Sequence, residues 1–299
     1  NVYHEPFLGG GAMFLHLRAQ GLAVQAHLAD SNAELINAWR VVQREPLKLI
    51  VALRKHDMAH RLDADHYYLV RAMCPDELEN MTDGIAPQTP QNATKIGIRH
   101  YKQAKNAHRP PQTVQIENCW DDVAQAARTL YLNRTGFNGL YRVNRRGEFN
   151  VAKGSYADPN VVNGEVIMAV HPLLKEVTLN CADFRATLDR VSVGDFVYFD
   201  PPYVPTSATA RFTGYTPNGF TESDQRDLAA LCRTLDRRGA QWMVSNAETP
   251  LIRDLYHGFR FVEIEARRAI NCKGDRRGCV KEVIVTNYDL YNSKFQKEK

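Results

Sequence analysis

Val2-Tyr3-His4-Glu5-Pro6-Phe7-Leu8-Gly9-Gly10-Gly11-Ala12-Met13-Phe14-Leu15-His16-Leu17 opens the chain with a short extended apolar run, a proline and three glycines, then residues at helical apolar spacing. Strand, glycine turn and helix in that order make the first unit of a nucleotide-binding α/β fold. Glycines allow the backbone to approach a ligand closely, and the free N–H groups at the start of the helix point towards it. The turn departs from the dinucleotide fingerprint, because Gly9 and Gly11 fill its first two glycine positions but Phe14 stands at the third. That disfavours a nicotinamide-dependent oxidoreductase. Taken by itself, the turn is equally compatible with an ordinary tight connection.

Working outward, residues 23–28 read as a second strand ending at Asp30, and 32–42 as a helix with Leu35, Ile36, Trp39 and Val42 on one side. Asp30 stands where α/β nucleotide folds place a carboxylate for ribose hydroxyls, and an N-capping role fits the local sequence as well. From about residue 52 to 175 the text turns polar and helix-biased, with a turn-rich patch at 83–94, as in an inserted module. Strands are expected again over 177–179, 195–199, 241–245, 259–264 and 280–286, and helices over 223–237 and 249–256. The alternation predicts a doubly wound sheet, with the last two strands free to form a hairpin across the polar loop 267–278. Because the chain opens directly in an extended segment, the domain is expected to begin upstream.

Composition narrows the class. The 299 residues are 44% hydrophobic and 24% charged, with no heptad or triplet period, which excludes disorder, collagen and coiled coil. No apolar run reaches about 18 residues and no signal peptide is legible, so a soluble cytoplasmic protein without a membrane partner is expected. The six cysteines lack any CxxC, which reads as reduced thiols; Cys272 and Cys279 are too far apart for a zinc knuckle, and no metal is expected. The net charge of +4 is too small to identify a polyanionic partner by itself.

The most informative stretch for chemistry is Asp200-Pro201-Pro202-Tyr203, directly after the apolar strand Val197-Tyr198-Phe199. Two prolines stiffen the turn and remove backbone donors, leaving carbonyls to accept, while an aspartate and an aromatic ring are held close at a strand's carboxyl end. Such a site suits a planar substrate bearing an amino group: Asp200 and the Pro201 carbonyl accept from the NH2, and Tyr203 stacks on the ring.

Together, Glu5-Pro6-Phe7-x-Gly9-Gly10-Gly11, Asp30-Ser31-Asn32 and Asp200-Pro201-Pro202-Tyr203 resemble the Dam-type DNA adenine methyltransferases of the D12 class. The resemblance continues through 131–142, Arg146-Gly147-Glu148-Phe149-Asn150-Val151, Ser207-Ala208-Thr209-Ala210, Phe212-Thr213 and Arg267-Arg268. It implies a Rossmann-like α/β methyltransferase sheet (1–52 and 176–299) with an inserted, mainly helical DNA-recognition domain (53–175) carrying a β-hairpin. It implies S-adenosylmethionine as cofactor, with Glu5, Pro6, Phe7, Gly9 and Gly11 at the first cofactor motif, Asp30 at the ribose, and Asp183 and Phe184 beside the adenine. Asp200, Pro201, Pro202 and Tyr203 become the catalytic tetrapeptide, acting on an adenine flipped out of duplex DNA, with GATC or a related site as target. A monomer is the family-like default. A noncatalytic DNA-binding module that keeps the fold is the alternative.

For DNA, Arg134, Arg142, Arg145, Arg146 and Lys153 against Glu148 concentrate a local charge of +4 in one stretch. Residues 140–144 and 148–151 flank Arg145-Arg146-Gly147 and predict a hairpin with glycine at the left-handed turn position. A two-stranded ribbon fits a major groove, where an arginine such as Arg142 bonds guanine bidentately. The resemblance places Phe137 and Asn138 near the flipped base and Leu140 and Arg142 at base edges, with Asn144, Arg146 and Lys153 completing the DNA face. A second basic cluster at 267–281, including Arg267, is read as a phosphate contact. The chain departs from the family in lacking a Trp-Ala-Gly-Gly-Lys-like motif before the glycine turn, and in having Ala152 and Ser155 where proline and arginine are common.

Overall fold

The computed structural model describes residues 1–22, 25–63, 65–72, 122–144, 147–205, 219–267 and 279–289, with backbone alone at 265–267, 279 and 280. The chain divides into two compact units: Asn1–Ile36, Val143–Gly147 and Leu173–Lys299 form one, and Asn37–Arg142 with Glu148–Pro172 the other.

The first unit is built on a seven-stranded sheet. Its strands are β1 (Tyr3–Glu5), β2 (Ala26–Asp30), β3 (Val177–Cys181), β4 (Phe196–Phe199), β5 (Gln241–Ala247), β6 (Arg260–Arg267) and β7 (Cys279–Thr286), in the order β3-β2-β1-β4-β5-β7-β6. The first five are parallel, and β7 runs antiparallel between β5 and β6, so the last two strands form the antiparallel pair that the sequence left open. Strand order reverses between β1 and β4. In a doubly wound sheet, ligands enter outside the carboxyl ends of the strands at that switch point, which here is where Glu5 and Asp200 lie.

Alternation explains the core. In β4, Val197 and Phe199 are fully buried, and from β5 and β7 come Trp242, Val244, Val283 and Val285. Helix α7 (Glu222–Arg237) presents Leu228, Ala229, Leu231, Cys232 and Leu235 to the same cluster, and a Thr221/Asp224 capping box fixes its start. Asp195 pins the amino edge by accepting from the N–H groups of Val2 (2.8 Å) and Ser192 (2.9 Å) and facing His4 Nε2 at 3.1 Å. Burial works to raise the Asp195 carboxyl, but these hydrogen bonds hold it below its ordinary value; burial lowers His4, so the contact is a hydrogen bond to a neutral ring at pH 7.

In the second unit, α3 (Pro46–Leu62), α5 (Asp122–Thr135) and α6 (Gly164–Val170) accompany the short α4 (His66–Ala72), with α3 packed against α5. The expected hairpin is not a continuous ladder among the described residues: Gly136 bridges Lys153, and the Asn150 N–H donates to the Arg142 carbonyl at 3.0 Å. A two-stranded ribbon is marginal by itself, and side-chain bonds from Arg142 supplement the backbone pairing. No helix among the described residues is long and apolar enough to cross a membrane. The expectations for 23–24, 83–94, 145–146 and 207–213 lie outside the described residues.

Candidate active site

Three connections at the carboxyl edge of the first unit's sheet carry the candidate groups. The first follows β1. Gly9 (φ +47°) and Gly11 (φ +65°) adopt left-handed conformations, with Gly11 capping α1 (Ala12–Ala19). Gly10 is different, because its φ is not positive and a Cβ there meets nothing within 4 Å. Neither backbone strain nor protein packing requires a glycine at that position, so its small size serves the open space in front of the turn.

Glu5 is buried at the end of β1, its Oε2 accepting from the Tyr3 hydroxyl (2.7 Å) and the Phe14 N–H (3.1 Å) in the first turn of α1. Burial pushes its carboxyl up to about 7, opposed by the two hydrogen bonds and assisted by the nearby negative charge of Asp200. Pro6 is buried. Phe7 stacks on Phe184 at 5.3 Å, and both rings contact Phe220, at 5.7 Å each, forming an aromatic wall.

The second connection follows β2. Asp30 Oδ2 accepts from the Gly9 N–H (3.0 Å) and Oδ1 from the Asn32 N–H (2.9 Å), so this carboxylate ties the glycine turn to the start of the next helix. Burial raises it; the backbone donors counter that. The capping role weighed for Asp30 belongs to Asn32, whose Oδ1 accepts from Leu35 N at the start of α2 (Ala33–Arg44). After β3, Asp183 caps a 3-10 turn (Phe184–Asp189) and is held by Arg185, which also binds Asp224 and Asp227 and lies 4.4 Å over the Phe184 ring. A cleft lined by Pro6, His27, Ala29, Asn180 and Asp183 runs beside this turn, and the buried His27 Nδ1 and Asn180 Nδ2 have no hydrogen-bond partner.

The third connection follows β4. Asp200 reaches solvent at the rim but is densely surrounded by protein, which raises its carboxyl; hydrogen bonds from Ser245 and Tyr203 counter that. Ser245 Oγ lies 2.6 Å from Asp200 Oδ1 and 3.2 Å from the Tyr198 hydroxyl. Pro201 is buried, Pro202 and Tyr203 are half-buried, and the Pro202 carbonyl accepts from Gln225 Nε2 at 2.9 Å. Burial also raises the Tyr203 phenol, so it stays protonated.

Glu5, Phe7, Gly9, Asp30, Asp183, Phe184 and Asp200–Tyr203 therefore share one edge of one unit, as the sequence indicated. The sequence reading overlooked Tyr3, Gln225, Ser245 and Asn246. Their signal was present: Ser245-Asn246 is a polar pair that interrupts an apolar strand at its carboxyl end, next to the strand that carries Asp200.

Of the expected DNA-binding residues, several lie on the second unit. Arg134 is exposed in the last turn of α5, and the following loop presents Phe137 and Asn138 outward, with Asn138 at φ +54°. This loop is rigidly built: the Phe137 N–H donates to the Ala152 carbonyl (2.8 Å), Gly154 N–H to the Thr135 carbonyl (2.8 Å) and Asn133 Nδ2 to the Gly139 carbonyl (2.6 Å). Leu140 and Lys153 are half-buried. Arg142 is exposed, with its Nε donating to Asn150 Oδ1 at 2.7 Å and its Nη2 to the Asn150 carbonyl at 3.1 Å. Asn144 belongs to the first unit, and its carbonyl accepts from Gly147, which has the left-handed φ of +80° foreseen for the turn. Arg145, Arg146 and the cluster beyond residue 267 lie outside the described residues; Arg267 is the last residue of β6, described as backbone alone.

The profile of the D12 class N6 adenine-specific DNA methyltransferases matches residues 1–270. A type II methyltransferase of Lactococcus lactis subsp. cremoris is 36% identical over 96% of this chain and 87% of its own length. A DNA N-6-adenine-methyltransferase of Escherichia phage P1 is 34% identical over 94% of this chain and 31% of its own. A DNA adenine methylase of Vibrio cholerae is 30% identical over 94% of this chain and 85% of its own. With the glycine turn, Glu5, Asp30 and the Asp-Pro-Pro-Tyr loop assembled on one sheet edge, the chain belongs to the D12 class of N6 adenine-specific DNA methyltransferases.

Proposed function

We propose that the protein methylates the exocyclic N6 amine of an adenine in duplex DNA at GATC or a related site, as a monomer in the cytoplasm of a bacterial or phage-infected cell, with S-adenosylmethionine as donor. One observation carries the reading: Asp200-Pro201-Pro202-Tyr203 ends β4 at the sheet's switch point, directly beside the strand that leads into the glycine turn. The residues fit the cofactor. Gly10 leaves space for it, Asp30 faces ribose hydroxyls, Asp183 with the Phe7, Phe184 and Phe220 wall receives the adenine, and Glu5 with Asp200 gives a negative potential suited to a sulfonium.

S-adenosylmethionine supplies an electrophilic methyl group on a good leaving sulfur. The protein's part is to present the amine. Asp200 and the Pro201 carbonyl accept its two N–H bonds, which turns the nitrogen lone pair away from the ring and towards the donor. The Pro202 carbonyl is already engaged by Gln225. Tyr203 supplies the stacking ring, and entry of the amine exchanges the phenol's hydrogen bond to Asp200 for the substrate's. The second unit, with its outward Phe137 and Asn138 and its Arg142, is assigned to reading the target, together with Arg134, Leu140 and Lys153.

Transfer of labelled methyl to matched duplexes, with GATC intact or its adenine replaced, tests the proposal. Label confined to the intact duplex, and abolished by Asp200→Ala, is expected. Label on both duplexes refutes the site, and DNA binding without transfer favours a noncatalytic module.

A further inference from the structure

Ser245 and Asn246 end β5 beside the catalytic loop, and the established family assignment gives them no role. Ser245 Oγ lies 2.6 Å from Asp200 Oδ1, 3.4 Å from the Phe199 carbonyl and 3.2 Å from the Tyr198 hydroxyl. A hydroxyl has one proton to give, and an ionised carboxylate only accepts. The Ser245 proton therefore goes to Asp200, the shorter and charge-assisted contact, and the Tyr198 phenol donates to Ser245. The chain Tyr198 to Ser245 to Asp200 has one direction. It occupies Oδ1 and fixes the plane of the carboxylate, so that the acceptor capacity now shared with the Tyr203 phenol passes to an amine when the phenol is displaced.

Asn246, fully buried, does the corresponding work on the backbone. Its Oδ1 accepts from the Val204 N–H at 3.0 Å, just past Tyr203, and from the Ala247 N–H at 2.8 Å; its Nδ2 donates to Gln225 Oε1 at 3.2 Å. Gln225, itself buried on α7, uses its Nε2 to hold the Pro202 carbonyl. Two prolines leave the loop few backbone donors, so these side chains supply the anchors that a peptide ladder otherwise provides.

We propose that Ser245 is a positioning residue that sets the orientation and charge of Asp200, while Asn246 and Gln225 clamp the loop on either side of Tyr203. The proposal rests on the methyl-transfer reading above. It predicts a defect in the chemical step rather than in cofactor binding, because none of the three residues lies in the glycine turn or beside Asp30. Losing a hydrogen bond to a charged group costs about 1.5 to 3 kcal/mol, or roughly 10- to 100-fold in rate.

The test is single-turnover transfer of labelled methyl to cognate duplex by the full chain, with the dissociation constant of S-adenosylmethionine measured in parallel. Ser245→Ala is expected to slow transfer about 10- to 100-fold with unchanged cofactor affinity. Glu5, Tyr198 and Tyr203 face Asp200 as well, the two phenols staying protonated, so the pH–rate profile is taken at saturating S-adenosylmethionine and repeated on a Glu5→Gln background. There Ser245→Ala also moves the acid limb to higher pH, since a carboxylate that loses a donor protonates more readily. Ser245→Thr, which keeps the hydroxyl, restores rate and limb. Tyr198→Phe keeps the ring and gives a smaller loss in the same direction, which tests the chain even if Ser245→Ala misfolds. Gln225→Met, similar in volume, slows transfer without moving the limb. An unshifted limb with near wild-type rate in Ser245→Ala or Tyr198→Phe overturns the Asp200 assignment, and an unchanged rate in Gln225→Met overturns the clamp. A wild-type chain that binds DNA but transfers no methyl refutes the underlying functional reading instead, and the two failures are distinct.

Discussion

Glu5 is the residue at which acid-base chemistry and ligand charge meet. Its burial beneath α1 brings the carboxyl to about 7, so near neutral pH it changes charge where a surface glutamate would not. S-adenosylmethionine carries a net positive charge, so binding at the proposed site favours the ionised carboxylate. Cofactor affinity is therefore expected to weaken as pH falls through about 7 and to level off above about 8. Equilibrium dialysis between pH 6 and 8.5 checks this. Glu5→Gln removes the slope and lies at the weak-binding end throughout; an identical slope in that variant would place the titrating group elsewhere.

At the scale of elements, the segment around Arg142 and Asn150, proposed above to read the target, shows how a surface is stiffened without a full ladder. The Arg142 side chain is aligned by two bonds to Asn150, on the chain segment that pairs with its own, and the neighbouring Thr135–Leu140 loop is fixed by bonds to Ala152 and Gly154. Arg142→Ala is expected to cost about 1 to 3 kcal/mol against the cognate duplex and little against a mismatched one. Competition binding at fixed salt measures both, and an equal loss on every sequence would reduce Arg142 to a phosphate contact. Other elements differ in how much of them the sequence discloses. The strands β1 to β5 and the helix expected over 223–237 were legible because apolar patterning is a local signal; the Thr221/Asp224 capping box emerged only in the structure. The extended pairing of 140–151 was overestimated, because alternation suggests a strand but cannot show whether a second neighbour supports it. The glycine turn, Asp30 and the Asp200 loop were legible from residue type and place. Ser245, Asn246 and Gln225 were not, since their roles arise only when β5 and α7 are packed beside β4.

For the whole molecule, the two units have cores of different chemistry. Among the described residues, the first buries the His4 imidazole, whose burial-lowered affinity for protons is opposed by Asp195. In the second, α3 and α4 bring His56 Nδ1 to 3.1 Å from His66 Nε2, with the His56 ring stacked on Tyr131. Burial drives His56 down to about 3 and His66 down to about 4, with Arg128, Lys55 and His60 adding in the same direction and Asp63 opposing. Above pH 6.5 these rings are neutral whether the chain is folded or not, and they cost nothing. Below it the unfolded chain takes up protons that the folded unit refuses, and each such ring removes up to about 1.4 kcal/mol per pH unit until its own folded pKa is reached. The proposed cofactor site is on the other unit: at about 100 times its dissociation constant a ligand adds about 2.7 kcal/mol to whatever cooperative unit holds its site. Scanning calorimetry at pH 7.5 and 5.5, with and without S-adenosylmethionine, separates the two effects. At pH 7.5 the cofactor is expected to raise one transition and leave a second in place. At pH 5.5 the second falls steeply, while the cofactor-induced shift of the first shrinks because Glu5 is then protonated. His56→Gln with His66→Gln flattens the acid response without touching the cofactor shift; a single transition that moves as one body under both treatments would show that the two cores unfold together.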